Sequence, residues 1–94
     1  MEKILIVDDE ESILAPLEEM LKGEGYRVRA FDNPLKALEL LRTQEFDLAI
    51  FDIKMPEMNG YELLQASRAI RPGLPVIFLS SKQEEQDQII GFTL

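Results

Sequence analysis

The 94-residue sequence contains no cysteine and no histidine. The first absence removes disulfides, thiolate nucleophiles and Cys-ligated metals; the second removes imidazole acid–base chemistry and the commonest transition-metal ligand. Bases are few as well, with 10 Lys and Arg against 18 Asp and Glu, for a net charge of -8. That balance opposes direct contact with nucleic acid or an anionic membrane, both of which select clustered cations. No apolar run reaches membrane-spanning length, and Met1-Glu2-Lys3 leads into a strand-like run without signal-peptide architecture, so a cytoplasmic location is expected. The chemistry left to this chain uses carboxylates, hydroxyls, lysines or a hard cation. Its 46% hydrophobic content suits one small globular core.

Apolar patterning alternates between two periods. Ile4-Leu5-Ile6-Val7, Leu48-Ala49-Ile50-Phe51 and Val76-Ile77-Phe78-Leu79 are short continuous runs, the mark of strands buried on both faces of a parallel sheet. Tyr26 to Phe31 alternates apolar residues with Arg27 and Arg29, which suits an edge strand with one wet face. Between these runs lie helical patterns. Ile13, Leu14, Leu17 and Leu21 share one face, followed by Lys22 and a glycine stop at Gly23, with Pro16 tolerable if the helix starts near Ser12. Asn33-Pro34 reads as an N-cap and first helical residue for a helix through Leu41. A third helix is expected from Gly60 to Arg71, ended by Pro72-Gly73. Ser81-Lys82-Gln83-Glu84 carries a capping-box pattern for a fourth, running on to Ile89 and Ile90. This alternation predicts a parallel sheet with right-handed crossovers and helices on both faces.

In such a sheet the residues just after each apolar run gather along one edge. Here they are Asp8, Asp9, Asp52 and Ser80. Carboxylates about 4 Å apart repel by roughly 4 kcal/mol per pair at an intermediate effective dielectric. A cation or a proton must relieve that repulsion. With only oxygen ligands on offer, the expected ion is Mg²⁺, or Mn²⁺ in its place. Because Mg²⁺ fills its octahedron with water and phosphate oxygens, the expected substrate carries a phosphoryl group. For Asp8-Asp9 alone, the plainer reading is a helix-capping acid pair; Asp52 and Ser80 at matching strand ends favour the metal site. Met55-Pro56 and Asn59-Gly60 read as a turn and a helix entry that shape the loop around it. Glu10, Glu11, Glu18, Glu19, Glu84, Glu85 and Asp87 read as solvated helix faces, and Met20, Met55 and Met58 as packing or surface residues.

The double acid after the first strand, the run Asp52-Ile53-Lys54-Met55-Pro56-Glu57-Met58-Asn59-Gly60 and Ser80 together make the chain resemble response-regulator receiver domains of two-component systems. The likeness implies one receiver domain over residues 1–94, with the α/β, flavodoxin-like, doubly wound parallel sheet in strand order 2-1-3-4-5. It implies that Asp52 takes a phosphoryl group from a histidine kinase, and that Asp9 and Asp52 ligate Mg²⁺ directly. Asp8 would do so through water, with a further oxygen from the Lys54 main-chain carbonyl. Ser80 would hydrogen-bond the phosphoryl oxygens and move its loop. Such a domain is a switch, not a turnover enzyme, and in longer relatives it often controls transcription.

Receivers also carry a fifth strand ending in a lysine, a switch aromatic on it and a fifth helix. This sequence reaches Leu94 without counterparts, so the domain is expected to be incomplete at its C-terminus. The fourth strand is then expected to present an open apolar edge, and the chain to form a homo-oligomer through that strand or its C-terminal segment. Lys54 and Lys82 are poor substitutes for the missing lysine. Three alternatives stand beside this reading: a receiver fold kept only as a non-phosphorylatable dimerisation module, an aspartyl-nucleophile phosphatase, and a flavodoxin-like cofactor binder. Adjacent Asp8-Asp9, in place of Asp-x-Asp, disfavours the phosphatase, and two aspartates after the first strand would repel a cofactor phosphate.

Overall fold

The β-branched and aliphatic runs do form strands in the structure, a computed structural model that describes residues 2–79 and 89–93. In chain order the elements are β1 (Lys3–Val7), α1 (Glu11–Gly23), β2 (Arg27–Phe31), α2 (Pro34–Leu41), β3 (Leu48–Asp52), α3 (Gly60–Ile70), β4 (Val76–Leu79) and β5 (Ile89–Thr93). The sheet order is β2-β1-β3-β4-β5, with β2, β1, β3 and β4 parallel throughout. This is the flavodoxin-like order that the resemblance implied.

Because side chains alternate along a strand, the central runs feed two cores. Leu5, Val7, Ala49, Phe51, Val76 and Phe78 face α2 and α3, where Ala37, Leu41 and Leu63 meet them. Ile4, Ile6, Ile50 and Leu79 face the other way, against Leu14 of α1. On the edge strand Val28 is buried while Arg27 and Arg29 are exposed, as the alternation predicted.

Local chemistry sets the helix starts. Asn33 Oδ1 accepts the Leu35 N–H at 2.8 Å, with Pro34 as the first helical residue of α2. At α3, Asn59 Oδ1 accepts the Glu62 N–H at 2.8 Å and Glu62 Oε1 accepts the Asn59 N–H at 3.0 Å, closing a capping box. Helix α1 begins at Glu11, so Pro16 lies inside it and withholds the N–H that would reach the Ser12 carbonyl. The helix stops at Gly23 as expected, but the left-handed residue that turns the chain into β2 is Gly25, at φ 99°.

Two expectations are corrected at the C-terminal side. Ile89 and Ile90 are not helical: they open β5, whose residues 89–93 pair antiparallel with β4, from Leu79↔Ile89 to Val76↔Thr93. The Ser81 to Glu84 capping-box pattern lies outside the described residues. The second correction follows from the first, because the fourth strand is not an open edge. The physical reason is general: a strand's unpaired N–H and C=O groups are costly, and Ile89, Ile90, Phe92 and Thr93 belong to the residue types that suit a strand. The homo-oligomer expected through an exposed fourth strand therefore loses its premise. Among the described residues there is no fifth parallel strand and no fifth helix; an antiparallel strand occupies the place beside β4.

Phe51 lies at the centre of the larger core and is fully buried. Urea denaturation of Phe51→Ala is expected to show a loss of about 3–5 kcal/mol, whereas Leu35→Ala, on the exposed side of α2, changes stability by less than about 0.5 kcal/mol.

Candidate functional site

Strands β1 and β3 are parallel neighbours paired Val7↔Phe51, so the residues one step further, Asp8 and Asp52, end abreast. Both are fully buried, and Asp9 beside them is exposed. One carboxylate oxygen from each of Asp8, Asp9 and Asp52 lies within 4.8 Å of the others. The structure therefore brings together the three acids that sequence reasoning placed there. Lys54 is exposed in the loop between β3 and α3, two residues past Asp52. Ser80, the fourth residue expected at this edge, lies outside the described residues.

Each acid is held differently. The Asp8 main chain is tied to the edge strand, its N–H donating to the Phe31 carbonyl at 3.1 Å. Asp8 Oδ1 accepts the Glu10 N–H at 2.9 Å. The carboxylate thus also braces the entry to α1, whose N-cap Glu10 makes no side-chain cap bond of its own. The capping and site readings of Asp8 coexist in this way. Its second oxygen, Oδ2, is buried without a hydrogen-bond partner. Asp52 Oδ1 accepts the Ile53 N–H at 2.8 Å, and the same N–H lies 3.2 Å from the Leu79 carbonyl. Ile53 was not singled out from the sequence, because a contribution made by a main-chain amide leaves no mark on residue type.

Burial pushes the Asp8 carboxyl up from 3.8 to about 7, against the lowering effect of the Glu10 N–H, and the charges of Asp52, Asp9 and Glu10 add to the rise. A buried carboxylate oxygen with no donor, aimed among like charges, is the situation a divalent cation resolves. The donor set fits a hard ion: three acids and no nitrogen or sulfur ligand.

The raised value has a stability consequence whose sign is fixed by linkage. Between about pH 4 and pH 7 the folded chain keeps the Asp8 proton and the unfolded chain has lost it, so stability falls as pH rises through that window. At about 1.4 kcal/mol per pKa unit, the metal-free domain is expected to lose up to about 4 kcal/mol relative to Asp8→Asn between those limits. Urea melts of both proteins in EDTA, at either end of the window, measure the difference.

Comparison with known proteins places the chain in a family. The sequence matches the response regulator receiver domain family over residues 4–94. It is 37% identical over 93 residues to the transcriptional regulatory protein CreB of Escherichia coli, covering 99% of this chain and 41% of that protein. The chain thus spans about two fifths of that relative's length. Among solved structures, the chemotaxis protein CheY4 of Vibrio cholerae superposes with a TM-score of 0.82 at 32% identity, covering 88% of this chain and 71% of that one. A chain from the complex of histidine kinase ThkA with response regulator protein TrrA superposes at 0.80 with 33% identity, covering 93% of this chain and 75% of that one. Fold, acid cluster and family match agree: the chain belongs to the response regulator receiver domains of two-component systems.

Proposed function

We propose that this chain is a phosphorylation switch, a receiver domain over residues 1–94 in which Asp52 accepts a phosphoryl group from the phosphohistidine of a histidine kinase. The observation that carries the proposal is the meeting of Asp8, Asp9 and Asp52, with one buried Asp8 oxygen lacking a hydrogen-bond partner. Asp9 and Asp52 would hold Mg²⁺, or Mn²⁺ in its place, directly; Asp8 would hold it through water, and the Lys54 main-chain carbonyl would add an oxygen. The ion supplies charge neutralisation for an in-line phosphoryl transfer.

Within the chain's own residues, the Ile53 N–H orients one Asp52 oxygen and leaves the carboxylate facing the acid cluster. In the transfer, an Asp52 oxygen forms the new bond to phosphorus as the nitrogen–phosphorus bond of the donor breaks and the imidazole leaves. Burial of Asp8 and Asp52 keeps this exchange in a low-dielectric setting, and exposed Asp9 marks the side open to solvent. Ser80, directly after β4, would hydrogen-bond the new phosphoryl oxygens and carry its loop toward them, a local charge event read as a surface change. A kinase as donor is supported by the likeness to the chain from the ThkA–TrrA complex.

Control of transcription by a longer protein is supported by the relative named a transcriptional regulatory protein, and nucleic acid is left to other segments by the net charge of -8. A cytoplasmic setting fits this role; no helix among the described residues is long and apolar enough to cross a membrane. The dimerisation-module alternative is disfavoured by β5, which pairs the β4 edge within one chain. A phosphatase is disfavoured by the adjacent acids in place of Asp-x-Asp.

Intact mass after incubation with Mg²⁺ and acetyl phosphate is expected to rise by one phosphoryl group in wild type and Ser80→Ala, and to stay unchanged in Asp52→Asn. Retained uptake in Asp52→Asn moves the acceptor elsewhere. Mg²⁺ alone is expected to raise the melting temperature of wild type and not of Asp9→Ala, with about 2.7 kcal/mol added at a hundredfold excess over its Kd.

A further inference from the structure

We propose that Gly60 is a positioning residue for the aspartate site: its bare Cα lets the start of α3 seat against the Asp52 main chain, which holds the acceptor carboxylate in register with Asp8 and Asp9. The inference rests on the phosphoacceptor reading of Asp52 and deepens it.

A Cβ built on Gly60 would collide with the Asp52 carbonyl oxygen, and would lie 3.1 Å from Ile53 Cα and 3.2 Å from the Asp52 carbonyl carbon. The same construction at Gly23 or Gly73 meets nothing within 4 Å. Backbone conformation is not the reason for the glycine, since the positive-φ position among the described residues is Gly25. Space is the reason. The Gly60 N–H donates to the Ile53 carbonyl at 2.7 Å, so the loop of residues 53–59 closes on itself where α3 begins.

The helix side of this contact is held in place, so the displacement falls on the Asp52 side. Helix α3 is anchored by the capping box of Asn59 and Glu62, by the Leu63 N–H donating to the Asn59 carbonyl at 2.9 Å, and by the fully buried Leu63 side chain. On the opposite side, the Asp52 carbonyl and the Ile53 N–H belong to one planar peptide group. Pressure on that oxygen tilts the N–H as well, and this N–H holds Asp52 Oδ1 at 2.8 Å. The displacement caused by a methyl group at position 60 is thereby transmitted, through a single rigid plane, to the carboxylate that meets Asp8 and Asp9. Loss of such an outer partner typically weakens a metal site by about tenfold or more.

The test uses Mn²⁺ binding followed by the paramagnetic resonance of free ion, well below each protein's melting temperature, and the initial rate of phosphoryl uptake from acetyl phosphate. Gly60→Ala is expected to bind Mn²⁺ about tenfold more weakly and to take up phosphoryl groups more slowly. Arg71→Ala serves as the control for lost stability alone. It removes the bond from Arg71 Nε to the Leu41 carbonyl at 2.9 Å, at the far end of α3, and should lower the melting temperature with Mn²⁺ affinity unchanged. A folded Gly60→Ala with wild-type Mn²⁺ affinity overturns the inference and leaves the phosphoacceptor reading intact. Wild type that binds no Mn²⁺ and takes up no phosphoryl group overturns both. A measurement on wild type alone serves if Gly60→Ala does not fold: during Mg²⁺ titration the amide resonances of Ile53 and Gly60 should move together with one midpoint. A Gly60 amide that stays in place overturns the inference.

Discussion

Three carboxylates meet within 4.8 Å because parallel strands β1 and β3 end abreast, and this enforced crowding of like charge is the constraint around which the other features are arranged. Left alone it is unfavourable, and burial adds to the cost: burial first, and the charges of Asp52, Asp9 and Glu10 after it, push the Asp8 carboxyl up to about 7. The fold tolerates the cost because the acids sit at the end of a sheet with apolar side chains on both faces. Val7 and Phe51, one residue before Asp8 and Asp52, are fully buried, so neither acid can withdraw without dragging core residues out of place. A functional site that stores unfavourable charge in this way is stabilised by whatever cation or modified partner relieves it.

The second consequence is that the loops leaving β1 and β3 serve as scaffolding for single atoms. Asp8 braces the entry of α1 through the Glu10 amide, and Asp52 is oriented by the Ile53 amide, so each buried acid spends one oxygen on local structure. The capping box and Gly60 set where α3 begins, and hence how tightly the segment after Asp52 folds back. The sheet edge that carries the site also lies close to the place where β4 pairs with an antiparallel β5 and the register shifts between Phe78 and Leu79.

Much of this was legible in the residues. Continuous apolar runs located β1, β3 and β4, the alternation of Tyr26 to Phe31 located β2, and Asn33-Pro34 marked the start of α2. The three acids were legible because a parallel sheet delivers every strand end to one edge, which converts distant sequence positions into neighbours. What escaped was of another kind. Ile89 and Ile90 were read as the tail of a helix, since a short apolar run has no period that separates helix from strand, and the pairing partner on β4 decided the matter. The part played by Ile53 came from a main-chain amide, and the need for glycine at position 60 from a backbone approach; neither depends on side-chain chemistry. The left-handed turn fell at Gly25, two residues beyond the glycine that ended the helical pattern.

A buried carboxyl pushed up toward neutral pH, as Asp8 is, should give up its proton if the site takes a divalent ion. Proton release on Mg²⁺ binding is measured by calorimetry in buffers of different ionisation enthalpy. With Asp8 raised to about 7, proton release per ion is expected near pH 7, falling as the pH rises well above that value and reduced in Asp8→Asn. Mg²⁺ binding with no proton release at pH 7, or with equal release in Asp8→Asn, would contradict a site built on a buried carboxyl crowded by like charges.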